Sequence, residues 1–279
     1  MSERVALQQV EEGIVVLSMQ DAGGNNAFSE AFLEELVEQL KVVGENPHIR
    51  VCVFRGLPEV FCAGAHQDLL LELVKGGSMT SSDIILPGLV LDLPVPTIAA
   101  MEGHAVGGGL ALGLCCDVLV MARESRYGCS FMNMGFTPGM GTTRLLQFAV
   151  GEYLANEMMY GGQMFKGTRF AGCAGVNYVL PRAEVFDKAM HVAKRMAEKP
   201  RFALQALKKW LSVPRREAFE RARKVEANMH GICFAEPEAG QRIRENYAPA
   251  ADRGANREND APATDRGADE NIGGTARKK

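Results

Sequence analysis

Several features are missing from this 279-residue sequence, and each absence removes a class of function. Lys and Arg number 31 against 34 Asp and Glu, a formal charge of −3, and no segment carries a basic stripe. Nucleic acid is excluded as a partner, because phosphate binding needs clustered cations. No apolar run approaches the roughly 18 to 20 residues of a membrane span. Met1-Ser2-Glu3-Arg4-Val5 lacks the apolar core of a signal peptide. Membrane and secreted readings therefore fall. Cysteine occurs seven times, an odd number, at apolar positions such as Cys52 and Cys115-Cys116, which reads as reduced thiols in a cytoplasm. No cluster has metal-ligand spacing, and no cofactor is expected. What remains is 47% hydrophobic and 23% charged, ordinary for a globular protein long enough to bury one substantial core.

The patterning predicts an α/β protein. Alternation suggests strands over Val5 to Val10 and Ile14 to Ser18, with Glu11-Glu12-Gly13 as their turn. Ser29 offers an N-cap for a helix carrying Leu33, Leu36, Val37 and Leu40, which Gly44 ends. Short apolar runs at Val51 to Phe54, Thr97 to Ala100 and Val118 to Met121 suit buried, mainly parallel strands. From about Glu184 the pattern turns helical: Val185, Ala189, Val192 and Met196 share a face. Further helices are expected over Pro214 to His230 and Glu236 to Glu245. The expected division is a core over 1–183, a helical region over 184–247 and a tail over 248–279. That tail has no aromatic residue, and Ile272 is its only large aliphatic one, so it is expected to be disordered.

Two segments carry a possible chemistry. Phe61-Cys-Ala-Gly-Ala65 follows a buried strand and precedes an apolar helix; Gly103-His-Ala-Val-Gly-Gly-Gly109 does the same before a helix expected from about Leu110. Glycine lets a backbone N–H approach a ligand, and a helix N-terminus offers unpaired donors to an anion. Two such donors facing each other make an oxyanion hole. Taken alone, the glycines equally suit tight helix–strand packing. A dinucleotide site is excluded, since the glycine spacing does not fit and no acidic residue ends a strand at the required distance.

The two segments together, in this order, resemble the crotonase superfamily (enoyl-CoA hydratase/isomerase). Gly135-Phe-Thr-Pro-Gly139, Gly141-Thr-Thr-Arg-Leu145 and Tyr160 through Val176 continue the resemblance, which covers about residues 3 to 247. It implies a ββα superhelix with a C-terminal helical trimerisation region, hence a homotrimer or dimer of trimers. It also implies an acyl thioester on a phosphopantetheine arm, with Ala65 and Gly108 as oxyanion donors. The resemblance breaks where a hydratase of this kind carries its two glutamates: here stand Ala111 and Phe131. Hydration needs groups that activate water and move protons, so an ordinary hydratase is not expected.

Decarboxylation needs no base, and a glutamate would repel a substrate bearing its own carboxylate. At ~4 Å and an effective dielectric near 20 that repulsion is roughly 4 kcal/mol. Ser130 through Pro138, Asn25-Asn-Ala-Phe-Ser29 and Met229-His230 are similar to the decarboxylating members found in polyketide β-branching cassettes. Those convert a 3-methylglutaconyl group on an acyl carrier protein to 3-methylcrotonyl, using a histidine near the C-terminal end and a lysine on the helix after the first oxyanion residue. The resemblance assigns the histidine to His230. Lys75 is the only lysine on that helix, while the family's spacing falls about two residues earlier, at Leu73. His66 is a candidate pocket residue, with Ala111 and Phe131 as pocket walls. His104, the cysteine pair and Met132, Met134 and Met140 read as packing. Two other readings stay open at this point. One is an isomerase or hydratase with a relocated base, His66 or His230; the other is a non-catalytic scaffold that binds acyl carrier protein.

Overall fold

The computed structural model describes residues 3–76 and 81–247; the expected disorder of 248–279 lies outside the described residues. The chain opens with a hairpin, β1 (Val5–Glu11) and β2 (Ile14–Met19), then α1 (Glu30–Glu45). It then adds one strand to each of two sheets before each helical crossover. The first unit is β3 (Val51–Arg55), β4 (Val60–Cys62), α2 (Gln67–Val74) and α3 (Ser81–Asp92). The second is β5 (Thr97–Met101), β6 (His104–Val106) and α4 (Gly108–Leu114). The third is β7 (Val118–Ala122), β8 (Arg126–Gly128), a 3₁₀ turn (Ser130–Met134), α5 (Thr142–Val150) and α6 (Glu152–Gly161). After β9 (Met164–Lys166) and β10 (Tyr178–Leu180) come α7 (Arg182–Ala197), α8 (Arg201–Leu211), α9 (Val213–Ala235) and α10 (Pro237–Asn246). The larger sheet runs β1-β2-β3-β5-β7-β10, parallel from β2 onward; the smaller runs β4-β6-β8-β9, with only its last pair antiparallel. This is the ββα superhelix that the family resemblance implied.

The continuous apolar strands are explained by burial on both faces. In β3, Cys52 and Phe54 face the main core, whereas Val51 and Val53 face a second core formed with α7. The buried row of α7 is Val185, Ala189, Ala193 and Ala197, so small residues every fourth position let the helix lie close on the sheet. The expected partners Val192 and Met196 are only half-buried, at the flank of that row.

Two helix boundaries also depart from expectation. Gly44 does not end α1; the helix runs on to Glu45, with Asn46 at its C-cap, because Gly44 keeps a helical conformation. The helix expected from Leu110 begins at Gly108, which puts the Gly108 N–H among its free first-turn donors. Helix α8 was not expected from the sequence. It is tied down by Lys208, which bonds the Asp117 carboxylate at 2.6 Å, while Arg215 of α9 reaches the same carboxylate and donates to the Cys116 carbonyl at 2.5 Å. Asp117 also accepts from the Thr97 N–H at 2.9 Å, so this buried cluster fixes α8 and α9 to the start of β7.

Candidate active site

Parallel pairing of β4 with β6 brings the ends of both strands to one edge, where open α/β sheets place their ligands. The chain leaves β4 through Gly64 at φ +80°, a region that favours glycine. A Cβ there would meet the Val106 carbonyl oxygen at 2.6 Å and the Gly108 nitrogen at 3.2 Å, so only glycine lets the two turns touch backbone to backbone. The Phe28 N–H donates to the Gly64 carbonyl at 2.8 Å and the His66 N–H to the Phe28 carbonyl at 3.2 Å. This bridge fixes the peptide planes on either side of Ala65. No described residue accepts a hydrogen bond from the Ala65 or the Gly108 N–H. Two backbone donors are thus left at a cavity of about 70 Å³ whose lining includes both residues.

The rest of the cavity is apolar. One wall is α2, which contributes Leu69, Leu70 and Leu73; others are Phe28, Phe131, Met134, Phe136, Met140 and Phe234. Among the lining residues only Ser130 and His230 have polar side chains, and His230 alone is titratable. Its Nε2 lies 2.8 Å from the Thr137 carbonyl oxygen. A carbonyl only accepts, so Nε2 carries a hydrogen and Nδ1 is the nitrogen left for chemistry. Phe136 and Phe234 flank the ring, with centroids 6.0 and 5.4 Å away. Tyr247, just past α10, donates its hydroxyl to the Ala65 carbonyl at 3.0 Å, tying the C-terminal helices to the turn after β4.

Of the expected residues, the structure brings together Ala65, Gly108, Phe131 and His230. Three others fall elsewhere. Lys75 is exposed at the C-cap of α2 and does not line the cavity. Residue 73 faces inward, and two further residues turn a helix by about 200°, so Lys75 points off the leucine face. The inward position holds Leu73. His66 is the N-cap of α2: its Nδ1 accepts from the Asp68 N–H at 3.4 Å, its ring is 43% exposed, and it is not part of the lining. Ala111 is buried one turn into α4, outside the lining. His104 is structural, its Nδ1 accepting from the Arg126 N–H at 2.8 Å; burial, then the nearby Arg182, holds its imidazole below the usual range.

Sequence reasoning missed the leucine wall, the aromatic flanks of His230 and the Tyr247 anchor. The leucines carried a signal, a 69/70/73 spacing that marks one helix face. Nothing local marks Tyr247. The Asn25-Asn26 pair has a plain structural cause: both residues are left-handed, at φ +53° and +54°, a region where asparagine is enriched. Buried Asn26 donates to the Met19 and Phe61 carbonyls at 3.0 Å each, holding the Phe28 bridge in place.

Comparison with known proteins bears on the family and the fold. The enoyl-CoA hydratase/isomerase family matches residues 9–247. The bacillaene synthase decarboxylase PksI of Bacillus subtilis is 36% identical over 243 residues, 87% of this chain and 97% of that one. Human mitochondrial methylglutaconyl-CoA hydratase is 30% identical over 200 residues, covering 68% and 57%. Among solved structures, a chain from a dehydratase/decarboxylase couple involved in polyketide β-branching is 36% identical with a TM-score of 0.84, covering 88% of this chain and 100% of that one. The ECH2 decarboxylase domain of CurF from Lyngbya majuscula is 35% identical with a TM-score of 0.82 and the same coverage.

Proposed function

Because the chain belongs to the enoyl-CoA hydratase/isomerase family, and its cavity pairs two free backbone donors with a single titratable side chain, we propose that it is a decarboxylase of a 3-methylglutaconyl-type thioester in polyketide β-branching. The absence of any carboxylate among the described lining residues carries this reading. The pair of carboxylates that activates water and moves protons in a hydratase is missing from the described lining, whereas loss of carbon dioxide requires no such pair.

The thioester oxygen sits between the Ala65 and Gly108 N–H groups. The substrate carboxylate, on the γ carbon, accepts a hydrogen bond from the His230 Nδ1–H. The bond from the γ carbon to the carboxylate breaks, carbon dioxide leaves, and its electron pair spreads through the alkene onto the thioester oxygen. The two N–H groups stabilise that dienolate. Nδ1 then gives its proton to the γ carbon, yielding 3-methylcrotonyl. One imidazole thus holds the carboxylate and replaces it with a proton. Lys75 has no part in this reading, and residues 77–85 bring no Lys, Arg or His. The apolar walls add to the drive by raising the energy of the substrate carboxylate relative to the delocalised dienolate.

The acyl group arrives on an acyl carrier protein or on coenzyme A, which share the pantetheine arm. The active assembly is a homotrimer or a dimer of trimers. Supporting this is the outer face of α8, where Phe202 is 76% and Trp210 74% exposed beside exposed Leu207 and Leu211, a patch of the kind that subunit contacts cover. Seven free cysteines, five of them buried, suit a reducing cytoplasm; among the described residues no helix is long and apolar enough to cross a membrane. Intact-mass analysis of 3-methylglutaconyl-loaded carrier protein tests the function. Loss of carbon dioxide supports it, gain or loss of water points to a hydratase, and retained binding without change points to a scaffold.

A further inference from the structure

We propose that Glu226 is a positioning residue: it staples α9 to the turn 137–143 and thereby holds the His230 imidazole against the cavity. The inference rests on the role given to His230 above. Glu226 lies one helical turn before His230 on α9, so the two share a face. It is a carboxylate only 2% exposed. Its oxygens accept from the Gly141 N–H at 2.7 Å, the Thr143 N–H at 3.0 Å and the Thr143 hydroxyl at 2.6 Å. These backbone donors belong to the N-terminus of α5, where a negative charge also meets the favourable end of the helix dipole. At the other end of the same turn, His230 Nε2 donates to the Thr137 carbonyl at 2.8 Å. Helix α9 therefore grips this turn at both ends, with Glu226 at one and the imidazole at the other.

What lies between the two grips belongs to the site. A Cβ at Gly139 would sit 2.7 Å from His230 Cε1, so the ring rests directly on the turn. Met140 has φ +58°, a left-handed conformation rare for a side chain of its kind. Such a conformation persists only where its surroundings over-determine it. Its neighbour Gly141 is the residue that Glu226 holds. Met140 lines the cavity, and its sulfur lies 2.9 Å from where a Cβ on Gly108 would stand. The Glu226 grip thus sets two things at once: the reach of the imidazole and the wall packed on the second oxyanion donor. A carboxylate serving only as a helix cap would affect stability and leave both unchanged.

The test compares Glu226→Gln and Thr143→Val with the parent in the full chain, well below their thermal midpoints. It measures kcat and KM on 3-methylglutaconyl carrier protein and the ¹⁵N resonances of the His230 ring. Glu226→Gln is expected to lower kcat about 10- to 100-fold, the range for a misplaced group of sub-ångström to ångström size, with KM little changed. The His230 ring signals should move away from a single Nε2–H form. A folded Glu226→Gln protein with parental kcat or unchanged ring signals overturns the proposal. If Glu226→Gln does not fold, Thr143→Val decides. It removes one of the three bonds, and a smaller fall in kcat with the same direction of ring shift supports the proposal; no change in either overturns it. The ring signals need no substrate, so they judge the staple even if the parent protein fails to decarboxylate.

Discussion

The two sides of the cavity are built differently. The strand side offers only backbone: the Ala65 and Gly108 N–H groups, placed by β4, β6 and glycines within a few residues of the donors themselves. The helical side offers side chains from distant parts of the chain, Leu69 to Leu73 of α2 and His230 of α9, set by contacts such as Thr137 to His230 across 93 residues. On the proposed reading, the strand side supplies the electrostatics of a reaction passing through an enolate. The helical side decides which reaction that is, because it alone sets whether a base, an acid or neither faces the substrate.

The comparison is most sharply broken on the helical side. His230→Ala removes the only titratable group among the described lining residues, and turnover should fall roughly 100-fold or more, the scale of a lost general acid. Rapid-quench kinetics with retained binding checks this; near-parental rates would mean that water supplies the proton. On the strand side, Gly108→Pro deletes one donor at a first-turn helix position that accepts proline. A fall of about 100- to 1000-fold in kcat is expected, measured after confirming the thermal midpoint, since the ring must be accommodated by Phe28 and Met140.

These two sides were not equally legible in the sequence. Ala65 and Gly108 could be read because the strand, glycine and helix that position each of them are contiguous. Ser29 was legible for the same reason, and it does cap α1, accepting from the Phe32 N–H at 3.3 Å. Likewise the apolar runs at β3, β5 and β7 announce strands buried on both faces. Lys75 could not be placed from a list of lysines, because helix phase, not proximity in sequence, decides which residue faces inward. His66 sits next to Ala65 in the chain, yet α2 begins there and turns its ring to the cap. Glu226 looks like one more charge on a charged helix until α5 is seen to begin against it. Helix α8 did carry a readable signal, Leu204, Leu207 and Leu211 at i, i+3, i+7, although Phe202 and Trp210 stay exposed in the single chain.

Smaller effects sharpen the contrast. Tyr247→Phe removes the hydroxyl that steadies the Ala65 carbonyl. With a lost hydrogen bond worth about 1 kcal/mol, a several-fold drop in kcat is expected with an unchanged fold; an unaltered rate would show that the Phe28 bridge suffices to hold Ala65. Lys75→Ala should change turnover least of all, within about twofold, because its side chain is solvated at a helix end and contributes little there. A large loss would mean that the lysine swings into the cavity when substrate binds.

The most direct measurement of the central claim is a single turnover of 3-methylglutaconyl carrier protein in deuterated water, read by intact mass and by the position of the label. One imidazole replacing a carboxylate with a proton predicts loss of carbon dioxide and one deuteron, carried on the γ carbon of the 3-methylcrotonyl product. A product hydrated at the alkene, or a decarboxylated one labelled at the α carbon, would contradict it.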